Sequence, residues 1–137
     1  MLNKNNLKKQ LVKHEGLRLK VYKCTANKLT IGIGRNLEDN GITEQEAMLM
    51  LDNDIEKIYS DLNRRFSWFN IMTPNRQEVV INMVFNLGIG GFLKFKNTIH
   101  FLASSQYEQA AIEMLESKWA SQVGRRAKEL SKIMMDG

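Results

Sequence analysis

Three side chains near the start of the chain carry chemistry: the carboxyl of Glu15, the thiol of Cys24 and the hydroxyl of Thr30. Eight residues separate the first pair and five the second. Leu7, Leu11 and Glu15 recur at the four-residue spacing of one helix face, and Gly16 is the residue type that most often follows a helix end. A carboxylate at a helix C-terminus meets the negative end of the macrodipole, and an apolar stripe beside it adds desolvation. Both favour the protonated acid, so Glu15 is a candidate proton donor. Cys24 acts as a base or nucleophile only as thiolate, a small fraction near neutrality for an ordinary thiol of pKa ~8.5; Lys20, Lys23 and Lys28 nearby favour that form. Taken singly, each residue has a plainer reading: a solvated glutamate, a small buried hydrophobe, a routine strand threonine. The spacing makes them a constellation.

These groups need elements to position them. A helix is expected over about Lys4 to Glu15, followed by two strands. In the first, alternation puts Leu17, Leu19 and Val21 on a core face and Cys24 on the wetter one. In the second, Leu29, Ile31 and Ile33 face the core, while Thr30, Gly32 and Gly34 form a low-relief floor suited to a flat ligand such as a sugar ring. Asn36 to Gly41 reads as a turn. Thr43-Glu-Gln-Glu46 reads as a capping box that opens a long helix to about Leu62, striped by Met48, Leu51, Ile55, Tyr59 and Leu62. Thr73 and Pro74 read as N-cap and first residue of a helix ending at Gly88. Further helices are expected over Phe92 to Leu102, Tyr107 to Trp119 and Gly124 to Met135. The fold class is α+β, mostly helical: a small mixed lobe over 13–50, and a helical lobe of 1–12 with 51–137, within a single domain.

With 137 residues and 43% hydrophobic content the chain supports one core, and no stretch is disordered in composition. A formal charge of +5 favours anionic partners without choosing among cell-wall polymer, nucleic acid and lipid. One cysteine excludes an internal disulfide framework. The N-terminus lacks the apolar core of a signal peptide, and no apolar run reaches the ~18 residues of a membrane span, so a cytoplasmic start without stable membrane insertion is expected. His14 and His100 are too few for a zinc site, and Asp52-Asn-Asp54 lacks the glycine and terminal glutamate of a calcium loop. Neither a metal nor another cofactor is implied.

The stretch Glu15-Gly-Leu-Arg-Leu-Lys-Val-Tyr-Lys-Cys24-Thr-Ala-Asn-Lys-Leu-Thr30-Ile-Gly-Ile-Gly34 resembles the catalytic segment of the phage-type lysozymes, glycoside hydrolase family 24. Two more blocks, Ile81-Asn-Met-Val-Phe-Asn-Leu-Gly88 and Lys118-Trp119 through Arg126-Ala-Lys128, resemble that family's helical lobe, in the same order. The resemblance implies a lysozyme-like fold and hydrolysis of the β-1,4 bond between N-acetylmuramic acid and N-acetylglucosamine in peptidoglycan, without a cofactor. By the same resemblance Glu15 is the acid, Cys24 and Thr30 orient and activate the attacking water with inversion, and Arg126 pairs with the acid. Phe85 and Asn86 line the cleft, with Asn36 and Thr98 as further sugar contacts. Cys24 stands where many members carry Asp, a position that admits either residue. An endolysin of this type is expected to be monomeric, to bind no nucleic acid, and to wait in the host cytoplasm until a holin-type protein opens the membrane. Two other classes compete: a cysteine peptidase or amidase using Cys24 with His14 or His100, and a basic helical nucleic-acid-binding protein.

Overall fold

The computed structural model describes residues Met1–Gly137. It contains two compact units, Met1–Leu49 and Met50–Gly137, and the division falls inside one long helix. Residues 1–12, expected with the helical lobe, belong to the first unit.

In the first unit, helix α1 (Lys4–Glu15) begins where the Asn3 side chain accepts the Asn6 N–H, and ends at Gly16, whose φ is +78°. Strands β1 (Arg18–Lys23), β2 (Leu29–Gly32) and β3 (Arg35–Asn36) form an antiparallel sheet in the order β1-β2-β3. A single-turn helix α2 (Leu37–Asn40) follows, occupying the expected turn and capped by the Asn36 side chain. Helix α3 (Glu44–Arg65) opens with the anticipated reciprocal cap: Glu46 N–H donates to Thr43 Oγ1 at 3.1 Å, and Thr43 N–H to Glu46 Oε1 at 2.8 Å.

The faces of the hairpin are the reverse of those the alternation implied. Leu17, Leu19 and Val21 are exposed, Tyr22 and Cys24 are half-buried, and Thr30 is the one buried residue of the unit. The cause is an irregularity in β1: Arg18 pairs with Gly32 but Tyr22 with Thr30, so four steps on one strand match two on the other. Extra residues of this kind break strict alternation and twist the strand.

The apolar core lies in the second unit. Helix α4 (Ser67–Asn70) contributes Trp68 and Phe69, and α5 (Pro74–Leu93) contributes Val79, Val80, Met83, Val84 and Phe92. Thr73 and Pro74 start α5 as expected, and its first helical segment stops at Gly88 as expected. There the backbone leaves helical geometry, with φ of +74° and ψ of 162°, and a second short helical segment runs on to Leu93. Helix α6 (Lys96–Ala103) packs on α7 (Tyr107–Glu116), and α9 (Arg125–Asp136) packs on α5, α7 and α8 (Lys118–Val123). The expected helix through Trp119 is two, because Ser117 ends α7 with its hydroxyl on Met114 O and caps α8 through Ala120 N–H. Where α7 meets α9, the small residues Ala110, Ala111 and Ala127 are buried, and the buried Ser131 hydroxyl donates to Ala111 O at 2.9 Å. Fully buried side chains such as Phe69 and Phe92 each contribute about 1.5–3 kcal/mol. No single helix is long and apolar enough to cross a membrane.

Candidate active site

Glu15 is the last residue of α1, so its side chain leaves the helix just as the backbone turns at Gly16 toward the sheet. The carboxyl lies over Gly34, in the turn between β2 and β3. A Cβ built on Gly34 would stand 2.8 Å from Glu15 Oε2 and 3.1 Å from its Cδ. Gly34 also has φ of +70°, so position 34 favours glycine twice: for backbone conformation and for the close approach of the acid. Glu15 itself is exposed and α1 buries no residue, so the apolar screening expected around this acid is not present.

Cys24 closes the β1–β2 hairpin. Its N–H donates to Lys28 O at 3.0 Å and its carbonyl accepts from Asn27 N–H at 2.8 Å. Asn27 takes φ of +62°, the left-handed position that completes a three-residue hairpin loop, and asparagine tolerates it better than most side chains. The loop folds donors around the sulfur. Hydrogen bonding from the backbone at Lys28 holds the Cys24 thiol below its ordinary value; the Ala26 backbone and the Thr30 hydroxyl add to this, and burial opposes it weakly. The main cause is thus backbone amides, not the three lysines.

Thr30 is 2% exposed and pairs with Tyr22 on β1 and Asn36 on β3. Its hydroxyl donates to Lys28 O at 2.8 Å. With one hydrogen to give, it serves either that carbonyl or the ionised sulfur, so Thr30 and Cys24 form a coupled pair. Asn36 is engaged as the cap of α2: Oδ1 accepts Asp39 N–H at 3.1 Å and Nδ2 donates to Asp39 Oδ2 at 2.9 Å.

The remaining candidates lie in the second unit. Phe85 is 48% exposed and stands between two grooves. One, of about 390 Å³, is bounded by Ile55, Ile81, Asn82, Phe85 and Arg126. The other, of about 610 Å³, has Phe85, Val84 and Ile89 facing the charged side chains of Asp54, Lys57 and Arg64. Asn86 accepts the Trp119 indole N–H at 2.7 Å, leaving its NH₂ group uncommitted. Arg126 is held by Asn82, donating through Nη2 at 2.7 Å and Nε at 2.9 Å to Oδ1. Thr98 is 3% exposed, so the sugar contact expected of it does not fit its burial. The sequence reading missed Gly34 as the seat of the acid and Asn82 as the partner of Arg126. The second had a signal, since Asn82, Phe85 and Asn86 share one helix face.

Arranged this way, the first unit offers an acid, a thiol biased toward thiolate and a hydroxyl, the groups that acid-assisted attack by water requires. Among known proteins, the chain is 26% identical to "Probable T4-type lysozyme 2" of Dictyostelium discoideum, over 97% of its own length and 95% of the relative's. It is 30% identical to the "Endolysin" of Acyrthosiphon pisum secondary endosymbiont phage 1, over 83% and 78% respectively. It is 27% identical to the "Pre-baseplate central spike protein Gp5" of Enterobacteria phage T4, over 96% of this chain and 28% of that one. The family model described as phage lysozyme matches residues 12–133, from the last turn of α1 to the last turn of α9, and the chain belongs to that family.

Proposed function

We propose that this protein is an endolysin: a muramidase that hydrolyses the β-1,4 bond between N-acetylmuramic acid and N-acetylglucosamine of peptidoglycan. Membership of the phage lysozyme family supports glycosidase activity on the bacterial wall. In the reaction, Glu15 gives its proton to the departing glycosidic oxygen. Water adds to the anomeric carbon from the opposite face, and its proton passes to the Cys24 thiolate while the Thr30 hydroxyl fixes its direction. The product sugar is inverted, and the net change is one water consumed and one bond cut.

Phe85 and Asn86 supply glycan contacts: an exposed ring for stacking and an amide with free donors. Asn36 adds a polar contact from β3 while its side chain caps α2. Arg126, held by Asn82, adds positive charge beside Phe85. The protein acts as a monomer, needs no cofactor, binds no nucleic acid, and meets the wall after a separate holin-type protein opens the membrane.

The observation that carries this reading is the seating of the Glu15 carboxyl on the turn that follows the Thr30 strand, in the same unit as a thiol whose ionised form is stabilised. The test is fragment analysis of purified peptidoglycan after digestion. Wild-type protein is expected to release fragments with new reducing ends at N-acetylmuramic acid, and Glu15→Gln none. New amino groups in place of reducing ends would refute it.

A further inference from the structure

Arg35 directly follows the glycine on which Glu15 rests, and it makes the best-formed ion pair of the first unit. Its guanidinium grips both oxygens of Glu46, Nη1 to Oε1 at 2.9 Å and Nη2 to Oε2 at 2.7 Å, while Nη1 also donates to Gly41 O at 3.2 Å. Glu46 Oε1 in turn accepts Thr43 N–H, so one carboxylate ties β3 to the first turn of α3. Exposed ion pairs ordinarily contribute little, but a two-pronged arginine–carboxylate contact within a network fixes geometry as well as charge. Geometry is what β3 lacks on its own. It has two residues, and those two carry the pairings Ile31↔Arg35 and Thr30↔Asn36.

We propose that Arg35 and Glu46 are positioning residues for the active site, clamping β3 so that Gly34 stays under the Glu15 carboxyl and Thr30 stays in register beside Cys24. The inference rests on the acid and water-orienting roles given above to Glu15 and Thr30. It assigns a task to an interaction eleven residues long in sequence that touches no substrate. Removing the clamp frees the turn that seats the acid while leaving Phe85 and Asn86 of the other unit intact and Asn36 on its own anchor at Asp39. The loss therefore falls on kcat and not on KM. Arg35 holds the Glu46 carboxyl down to about 2, so the pair stays ionised wherever Glu15 works as an acid.

The experiment measures kcat and KM on soluble glycan chains from peptidoglycan, together with thermal midpoints, for Glu46→Gln, Arg35→Lys and Thr43→Ala. Glu46→Gln keeps an oxygen for Thr43 N–H but loses the second prong. It is expected to lower kcat by about tenfold to a hundredfold, with KM within about twofold. Arg35→Lys keeps the charge without the fork and gives the same split in smaller measure; it carries the test if Glu46→Gln does not fold. Thr43→Ala removes the helix cap and the hydroxyl's minor hydrogen bond to the Glu46 carboxylate but keeps both arginine prongs, lowering the midpoint and leaving kcat within about twofold of wild type. Wild-type kcat in a folded Glu46→Gln or Arg35→Lys overturns the proposal, as does a Thr43→Ala whose kcat falls in step with its midpoint. Glu15→Gln run alongside separates the failures. If it is inactive while the clamp variants are normal, only the clamp falls; if it turns over like wild type, the catalytic reading falls as well.

Discussion

Replacing Gly34 with alanine tests the seating of the acid most directly. The new Cβ would stand 2.8 Å from Glu15 Oε2, where ordinary contact begins at 3.4 Å, so the carboxyl must retreat by ~0.6 Å. The glutamate side chain moves easily, so this shift costs little stability. The main stability loss comes from the backbone, since an L-residue at φ of +70° costs about 1–2 kcal/mol. Catalysis is far less tolerant: a misplacement of ~1 Å costs up to about a hundredfold, so a shift of this size predicts roughly tenfold lower kcat. Gly124→Ala is the matched control, with φ of +56° and nothing within 4 Å of its Cβ. Both variants should lose several degrees of thermal midpoint, but only Gly34→Ala should lose turnover in a peptidoglycan clearing assay. Equal activity in the two variants, with equal loss of midpoint, would mean that catalysis does not depend on how closely Glu15 sits on Gly34.

Cys24→Ser should cut turnover severely with binding retained, and the activity of the wild type should rise with pH below the ordinary thiol range. Because folding lowers the Cys24 thiol, its contribution to stability is full above about pH 8.5, the unfolded value, and fades as pH falls through the folded one. Stability titrations of wild type and Cys24→Ser should therefore diverge in that window, most at its alkaline end; parallel curves would remove the thiolate. Glu46 follows the same sign at lower pH. Its carboxyl is drawn down to about 2, by the hydrogen bond from Arg35 first, so the stability it adds is present above its ordinary value of about 4.3 and lost on acidification toward 2. In Glu46→Gln that loss should be absent from acid-unfolding curves. Arg76, at the start of α5, lies over the Tyr107 ring and donates to Met134 O at 2.7 Å and Met135 O at 3.0 Å. Arg76→Ala should cost about 1–3 kcal/mol in urea unfolding without changing kcat.

What the sequence announced was mostly local. The boxes at Thr43–Glu46 and Thr73–Pro74 mark their helix starts because a cap is decided within four residues, and the mostly helical α+β class follows from the apolar stripes they open. The place of Glu15 was legible for the same reason, through Gly16. The strand faces were not, because the irregularity between Arg18 and Tyr22 depends on how β1 pairs, which no alternation records. Gly88 looked like a terminator and is one, but the short helical segment just beyond it, whose Phe92 is drawn into the core, was not foreseen. The screening expected around Glu15 failed because a stripe of leucines buries nothing until another element covers it. Arg35 with Glu46 was invisible, and Arg126 with Asn82 was signalled only by the helix face that Asn82 shares with Phe85 and Asn86, because both contacts join elements that only the tertiary fold brings together.

The hairpin that cradles the sulfur has a practical corollary. This chain offers a maleimide or alkylating dye one address, and that address is the group proposed to take the proton of the attacking water. A fluorophore attached there, or simply the speed of its attachment, would footprint oligosaccharide occupancy without any engineered handle.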